Sequence, residues 1–133
     1  MARWLVDGMN VIGSRPDGWW RDRTAAMERL ASTLDALARE TGDEVTVVFD
    51  GRPRAIAAER VEVRFTRRAG RDAADDDIAA LAAADADPGS LRVVTSDADL
   101  ARRVGAAGAR TVGAGEFRRR LEETAGGGRS SAS

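Results

Sequence analysis

Five short apolar runs along the chain predict β-strands. Each is rich in aliphatic or β-branched residues, and glycine, proline or aspartate stands near its ends, as is typical of buried strands. The runs cover residues 3–6, 45–49, 61–65, 91–95 and 109–112. In the third run apolar side chains alternate with charged ones, which favours a position at the edge of a sheet.

Helical periodicity occupies most of the segments between these runs. From residue 24 to residue 39, apolar side chains recur every three or four positions, which predicts an amphipathic helix. Thr24 is its expected N-cap, and Gly42 follows its end. Further helices are predicted over residues 74–84, from a cap at Ser96 or Asp97 to residue 106, and over residues 115–124.

Strands that alternate with helices predict an α/β fold. The order of elements indicates a single doubly wound domain, with a five-stranded parallel sheet and helices on both faces. Right-handed crossovers make 3-2-1-4-5 the simplest strand order. The domain spans residues 1–124, and the Gly/Ser-rich tail over residues 125–133 is expected to be disordered.

Acidic residues end or follow three of the predicted strands. Asp7, Asp50 and Asp97 stand at the carboxyl ends of the first, second and fourth strands. In the predicted order the first and fourth strands are neighbours at the switch point, where open parallel sheets form ligand crevices. The acidic triplet at 75–77 opens the helix after the third strand, on the same side. Carboxylates gathered there repel one another unless a cation is bound, and Mg²⁺ or Mn²⁺ suits such ligands.

Each of these groups also has an ordinary structural explanation, and the sequence leaves both open. Asp7 and Asp50 precede glycine, which is a common turn dipeptide. The 75–77 triplet is suited to the start of a helix, and the polar pair after the fourth strand is suited to capping the next one. Asn10 is either a second turn residue or a ligand of a phosphate or a metal-bound water.

Composition removes several kinds of chemistry. The chain has no cysteine and no histidine, which excludes disulfides, zinc–thiolate sites and histidine-based catalysis. All 21 basic residues are arginine, so the lysine that phosphate-binding loops need is missing. Catalysis must therefore use carboxylates, hydroxyls, arginines and any ion they bind. No apolar stretch reaches the length of a signal peptide or a membrane span, so we expect a soluble cytoplasmic protein without a membrane partner.

Arginine and tryptophan near the acids indicate a nucleic-acid partner, although a net charge of −1 excludes a globally basic binder. Seven arginines between the second strand and the acidic helix form either a solvated surface or a rim that binds a phosphate backbone. They are Arg52, Arg54, Arg60, Arg64, Arg67, Arg68 and Arg71. A predicted loop over residues 11–23 carries Trp19, Trp20, Arg21 and Arg23. These four form either a stacking and phosphate-binding flap or a packing contact with the domain.

Several sequence blocks resemble the NYN domains, which are PIN-like ribonucleases. Residues 5–12, with the sequence LVDGMNVI, are similar to their opening motif and closest to that of the YacP-like bacterial branch. Later blocks follow in the family order at residues 48–51 (VFDG), 74–78 (ADDDI) and 94–99 (VTSDAD). The resemblance covers about residues 3–121.

This resemblance implies a Mg²⁺- or Mn²⁺-dependent endoribonuclease, with relatives that act on messenger RNA at the ribosome. Carried over by position, it implies main metal-site acids at Asp7, Asp75 and Asp97, further ones at Asp50 and Asp99, and supporting polar groups at Asn10 and Ser96. Asn10 is counted with the three main acids as a catalytic residue.

Two main hypotheses follow for the function. The first is a cytoplasmic endoribonuclease that cleaves single-stranded RNA with a metal-activated water. Its expected RNA-contacting residues are Arg52, Arg54, Arg67, Arg68, Arg71, Ser96, Trp19 and Arg21. The second is a non-catalytic RNA- or ribosome-binding module on the same fold, which would bind RNA with a salt-dependent affinity and leave it intact. A hydrolase of a small phosphorylated metabolite is a third, weaker hypothesis.

Overall fold

The computed structural model describes residues 2–15, 17–66 and 73–132. Within them, five parallel strands form one sheet in the order β3-β2-β1-β4-β5, which confirms the predicted order. The strands are β1 (Arg3–Asp7), β2 (Glu44–Phe49), β3 (Glu62–Phe65), β4 (Leu91–Val94) and β5 (Arg110–Val112). The third strand lies at one edge of the sheet, as its alternating pattern predicts.

Helices cover both faces of the sheet. They are α1 (Gly8–Gly13), α2 (Arg23–Thr41), α3 (Ala73–Ala84), α4 (Ala98–Ala106) and α5 (Ala114–Ala132). Side chains of the central strand alternate between two cores, since successive strand residues point to opposite faces. Trp4 and Val6 pack with α1, α2 and α5, whereas Leu5 packs with α3 and α4. The central strand is thus buried on both sides, and its carboxyl end is held in place from both.

The first helix corrects the prediction of a loop over residues 11–23. Asp7 leads directly into α1, and the structure has no turn at Gly8. A Cβ atom on Gly8 would lie 2.5 Å from the ring of Phe49, so this position needs glycine for close helix–strand approach. The pattern misses α1 because the helix has only six residues, with a glycine at each end. Buried Val11 and Ile12 stabilise it through tertiary packing instead.

The ends of two other helices differ from the prediction. Asp22, and not Thr24, caps α2, because its carboxylate accepts a hydrogen bond from the backbone N–H of Ala25 at 3.0 Å. Gly42 ends that helix in the left-handed region with φ of 77°, as predicted. The backbone of α5 is helical to Ala132, past the predicted end at 124 and through most of the tail expected to be disordered.

Candidate active site at the carboxyl edge of the sheet

Asp7 is the most buried acid of the crevice, with 4% of its surface exposed at the end of the central strand. Its pKa is raised from an ordinary value of 3.8 to about 6. Burial is the largest cause, the negative charge of Asp75 adds to it, and that of Asp50 contributes less. A hydrogen bond from Thr95 and the backbone N–H of Asn10 oppose the rise. The ionised form of Asp7 is therefore costly unless positive charge compensates it.

Thr95 joins Asp7 to the loop that carries Asp97. The buried Thr95 hydroxyl donates to Oδ2 of Asp7 at 3.2 Å and accepts from the backbone N–H of Asp97 at 3.1 Å. The carboxylate of Asp97 caps α4 by accepting from the N–H of Leu100 at 3.0 Å through Oδ1. Oδ2 of Asp97 has no hydrogen-bond partner within the described parts of the chain. Asp97 therefore has both a structural role and an oxygen available to a ligand.

Asn10 and Ser96 form a second chain of contacts beside the acids. Oδ1 of Asn10 accepts from the backbone N–H of Ser96 at 2.8 Å, which sets the orientation of the amide. Oγ of Ser96 accepts from the N–H of Ala114 at 2.9 Å, at the start of α5. Neither the Asn10 amide nitrogen nor the Ser96 hydroxyl proton has an acceptor among residues 2–15, 17–66 and 73–132. Both donors remain available to an anion.

The other three predicted acids differ in their positions and in their partners. Asp75 lies in the first turn of α3 and acts on Asp7 electrostatically. Asp50 follows β2 and pairs with Arg23 at 3.2 Å. Asp99 pairs with Arg102 on the exposed side of α4. No three acidic side chains of the described residues lie close enough to enclose a metal ion together.

The residues at this edge still fit a hydrated divalent cation. Mg²⁺ commonly binds through one or two carboxylates and fills its remaining positions with water or substrate phosphate. The ionised carboxylate of Asp7 is destabilised by burial and by the charge of Asp75. A bound cation would relieve this destabilisation. The donor set is oxygen only, since the chain has no histidine or cysteine.

The structure divides the predicted RNA-contacting residues into three groups. Arg52 is exposed and makes no ion pair in the part of the chain that the structure describes. Arg54 is half-buried, with Nη1 3.3 Å from the sulfur of Met27. Trp19 is partly buried against the core, and Arg21 lies on the adjoining exposed surface. Ser96 lies beside the acids, in contact with Asn10, and Arg67, Arg68 and Arg71 lie outside the described residues.

Two residues outside the expected site set hold parts of the chain in place, Thr95 at the carboxyl edge of the sheet and Asp35 just before β3 begins, at the opposite edge. Thr95 lies within the 94–99 block, but the resemblance assigns it no role. Asp35 is a buried acid on the core face of α2. Its carboxylate accepts backbone hydrogen bonds of 2.8, 3.0 and 2.9 Å from Glu59, Arg60 and Val61. The sequence does indicate a buried acid here, because Asp35 falls between Leu34 and Ala38 on the apolar stripe of the helix.

These backbone bonds outweigh the effect of burial on Asp35. Burial raises the pKa of this carboxyl, but the three N–H donors favour its charged form, so its pKa is lowered overall. Asp35 thereby fastens the end of the connection between β2 and β3 to α2. Arg52 and Arg54 lie on that connection.

Comparison with known proteins agrees with the fold and with the sequence blocks. The family model of the "YacP-like NYN domain" matches residues 4–132. The crystal structure of Rae1 (YacP) from Bacillus subtilis is 31% identical, with a TM-score of 0.77, and the match covers 92% of this chain and 75% of that chain. A mutant of that protein matches at 32% identity and the same TM-score, over 92% of this chain and 76% of that one.

No curated protein matches this chain. No helix within the described ranges is both long and apolar enough to cross a membrane. NYN domains are PIN-like nucleases, and such nucleases usually depend on divalent metal ions. The family match over nearly the whole length, together with the shared strand order, shows that this chain belongs to the YacP-like NYN domain family.

Proposed function

We propose that this protein is an endoribonuclease that hydrolyses single-stranded RNA with the help of Mg²⁺ or Mn²⁺. One observation carries the proposal. Asp7 is a nearly fully buried carboxyl at the sheet switch point, and its pKa is raised to about 6 by burial and by the neighbouring charge of Asp75. Buried acids with strongly shifted pKa values are concentrated at functional sites.

Three acids would hold the cation, directly or through water: Asp7, Asp75 and Asp97. When bound, it would supply an activated water at neutral pH and neutralise charge on the scissile phosphate. Asp50 and Asp99 are further candidates, but each would first have to give up its ion pair, with Arg23 and Arg102 respectively. We therefore assign these two a secondary role.

The protein's own donors suit the phosphate of the substrate. The amide nitrogen of Asn10 and the hydroxyl of Ser96 stand beside the acids, and their acceptor atoms are already engaged. Each therefore has a proton to donate to a phosphate oxygen. Each of the two side chains is held by a hydrogen bond from a backbone N–H, so the donors need little reorganisation when RNA binds. Such preorganised donors favour stabilisation of the charge that develops during cleavage.

Contacts with the RNA backbone would come from the arginines around the crevice. Arg52 and Arg21 are exposed, and Arg54 would reach RNA after leaving its contact with Met27. Arg67, Arg68 and Arg71 belong to the same proposal through their place in the sequence, and Trp19 would support the neighbouring surface. Action on messenger RNA at the ribosome, in the cytoplasm, is the physiological role that the family resemblance favours.

A cleavage assay with a matched pair of variants tests the proposal. Asp97→Asn removes a charge but keeps an N-cap residue of α4, since asparagine caps as well as aspartate. Asp87→Asn removes a charge from an exposed carboxylate that precedes β4, at the opposite edge of the sheet. We expect wild type and Asp87→Asn to cut single-stranded RNA equally with Mn²⁺. We expect Asp97→Asn to be slower by at least about 100-fold, because partners of metal ligands alone contribute about 10–100-fold.

Equal cutting by wild type and Asp97→Asn would contradict the proposal and indicate a contaminating nuclease. A non-catalytic RNA- or ribosome-binding module is the second candidate function. It is favoured by the finding that no three acids of the described residues gather around one point. Salt-dependent RNA binding without metal-dependent cleavage would support that candidate instead.

A further inference from the structure

Trp20 is exposed to an unusual degree. The residue is 57% exposed, and among the described residues no other large hydrophobic residue is exposed in this way. The neighbouring Trp19 is partly buried against the core. The structure thus separates the two tryptophans into one that packs and one that is presented to solvent. Exposing a tryptophan ring gives up much of the hydrophobic stabilisation it would gain from burial, so its position calls for an explanation.

The Trp20 ring is held and not merely exposed. It makes an edge-to-face contact with Trp19, with ring centroids 6.1 Å apart and planes at 84°. The guanidinium carbon of Arg21 lies 6.0 Å from the centre of the Trp20 ring. All three residues form a 3-10 turn that begins after Gly18, in the left-handed region, and ends at Asp22, the cap of α2. The short turn between two anchored ends limits the conformations that the ring can adopt.

The same turn is tied to the acidic crevice. Arg23 follows the cap of α2 and pairs with Asp50 at 3.2 Å. Asp50 follows β2, and its charge raises the pKa of Asp7. The exposed ring therefore stands on the carboxyl edge of the sheet, three residues from a side chain that contacts the crevice.

We propose that Trp20 is a stacking platform for an unpaired base of the RNA next to the cut site, and that it makes this site prefer purines. This inference rests on the proposed function and adds a specificity-determining residue to it. With Arg21 engaged by a phosphate, the Trp20 ring selects bases by stacking strength, and the larger purine ring system stacks more strongly. Arg21 binds a phosphate that flanks the stacked base. A paired base has no free face to offer, so the platform also selects single strands.

The test measures affinity and cleavage separately. Labelled oligo(A) and oligo(U) are titrated in EDTA against wild type, Trp20→Ala and Trp20→Phe, and binding is followed by fluorescence anisotropy. We expect wild type to bind oligo(A) more tightly. We expect Trp20→Ala to lose at least about fivefold in oligo(A) affinity, with a smaller loss for oligo(U), and Trp20→Phe to lie between, since stacking on one ring contributes about 1–3 kcal/mol. Arg21→Ala should weaken both oligonucleotides alike, while Arg39→Ala, at the far end of α2, should weaken neither.

Cleavage of RNAs with a single purine at successive positions then locates the preferred base. Trp20→Ala should reduce the preference for a purine that wild type shows, and its thermal stability should be unchanged. If wild type cleaves RNA and Trp20→Ala keeps both the preference and the affinities, the inference is wrong while the proposed function stands. If wild type does not cleave at all, the proposed function fails, and the affinity ratios still decide the role of Trp20.

Discussion

The hydroxyl of Thr95 donates a hydrogen bond to Oδ2 of Asp7 across 3.2 Å, and it accepts one from the backbone N–H of Asp97. A hydroxyl has one proton, so accepting from Asp97 leaves that proton for Asp7. One buried side chain thereby links the end of the central strand to the loop after the neighbouring strand. The two acids at the switch point are held as one unit.

Replacing Thr95 with valine should affect both ends of this link. Thr95→Val leaves the N–H of Asp97 without its partner and removes a donor that lowers the pKa of Asp7. We expect the free energy of unfolding to fall by about 1–3 kcal/mol, the usual cost of an unsatisfied buried donor. We also expect the pKa of Asp7 to rise further in an NMR titration of its carboxyl. Thr111→Val, at an exposed strand position, is the control and should change neither quantity. An unchanged or lower pKa of Asp7 would show that the hydroxyl is not its donor.

The raised pKa of Asp7 predicts a pH dependence of stability with a definite sign. Because the pKa is about 6 in the folded state and 3.8 ordinarily, the folded state binds more protons between these values. The free energy of unfolding should therefore decrease as pH rises from about 4 to 6, and the cost should persist above pH 6. A shift of this size corresponds to about 3 kcal/mol.

Asp7→Asn removes that cost, because asparagine is neutral at every pH. We expect the variant to be more stable than wild type by up to about 3 kcal/mol at pH 8 in metal-free buffer, with the gain vanishing near pH 4. Asp43→Asn should do the opposite at neutral pH, because burial of Asp43 is outweighed by hydrogen bonds from Trp4 and Ala2 that lower its pKa. Chemical unfolding at a series of pH values measures both. A destabilised Asp7→Asn at pH 8 would contradict the electrostatic account of the site.

Gly8 should tolerate no larger residue. Gly8→Ala would place a Cβ 2.5 Å from two atoms of the Phe49 ring, and a buried ring has little room to move. We expect a loss of about 1–3 kcal/mol in the free energy of unfolding from overpacking. Gly105→Ala is the matched control, since that helical glycine has no atoms within 4 Å of the added Cβ. This control should be neutral or more stable by up to about 1 kcal/mol, and thermal unfolding of both variants measures the contrast. Equal behaviour would mean that α1 does not pack against β2 as described.

Asp35 should matter for both stability and RNA affinity. Asp35→Ala leaves three backbone N–H groups, at residues 59–61, without their acceptor. We expect a loss of about 2–4 kcal/mol in the free energy of unfolding. RNA affinity should also fall, because the freed connection carries Arg52 and Arg54. Glu28→Ala, on the exposed side of the same helix, should change neither. Stability that is unaffected in Asp35→Ala would show that the loop is held by other contacts.

The sheet order was predictable because two strong regularities act together. Buried parallel strands read as continuous apolar runs, and right-handed crossovers leave few orders for strands that alternate with helices. The placement of Asp50 and Asp75 near Asp7 follows from that order alone, and the charge effects of these two acids on Asp7 agree with it.

The missed features depend on tertiary contacts that a linear pattern does not contain. In the sequence, Gly8 resembles a turn glycine after an aspartate. Only the structure shows that the Phe49 ring leaves no space for a side chain at this position. Trp19 and Trp20 are adjacent and identical in type, yet packing separates their roles. Thr95 gains its role from strand pairing, which brings β4 beside β1.

Anomalous scattering from crystals soaked in Mn²⁺ tests the central claim most directly. The account predicts a peak in the crevice at about 2.1 Å from a carboxylate oxygen of Asp7, Asp75 or Asp97, with the remaining positions filled by water. The peak should weaken in Asp97→Asn crystals in proportion to lost affinity. An empty crevice in a protein that cleaves RNA with Mn²⁺, or a strong peak elsewhere, would contradict the assignment of these acids to the metal site.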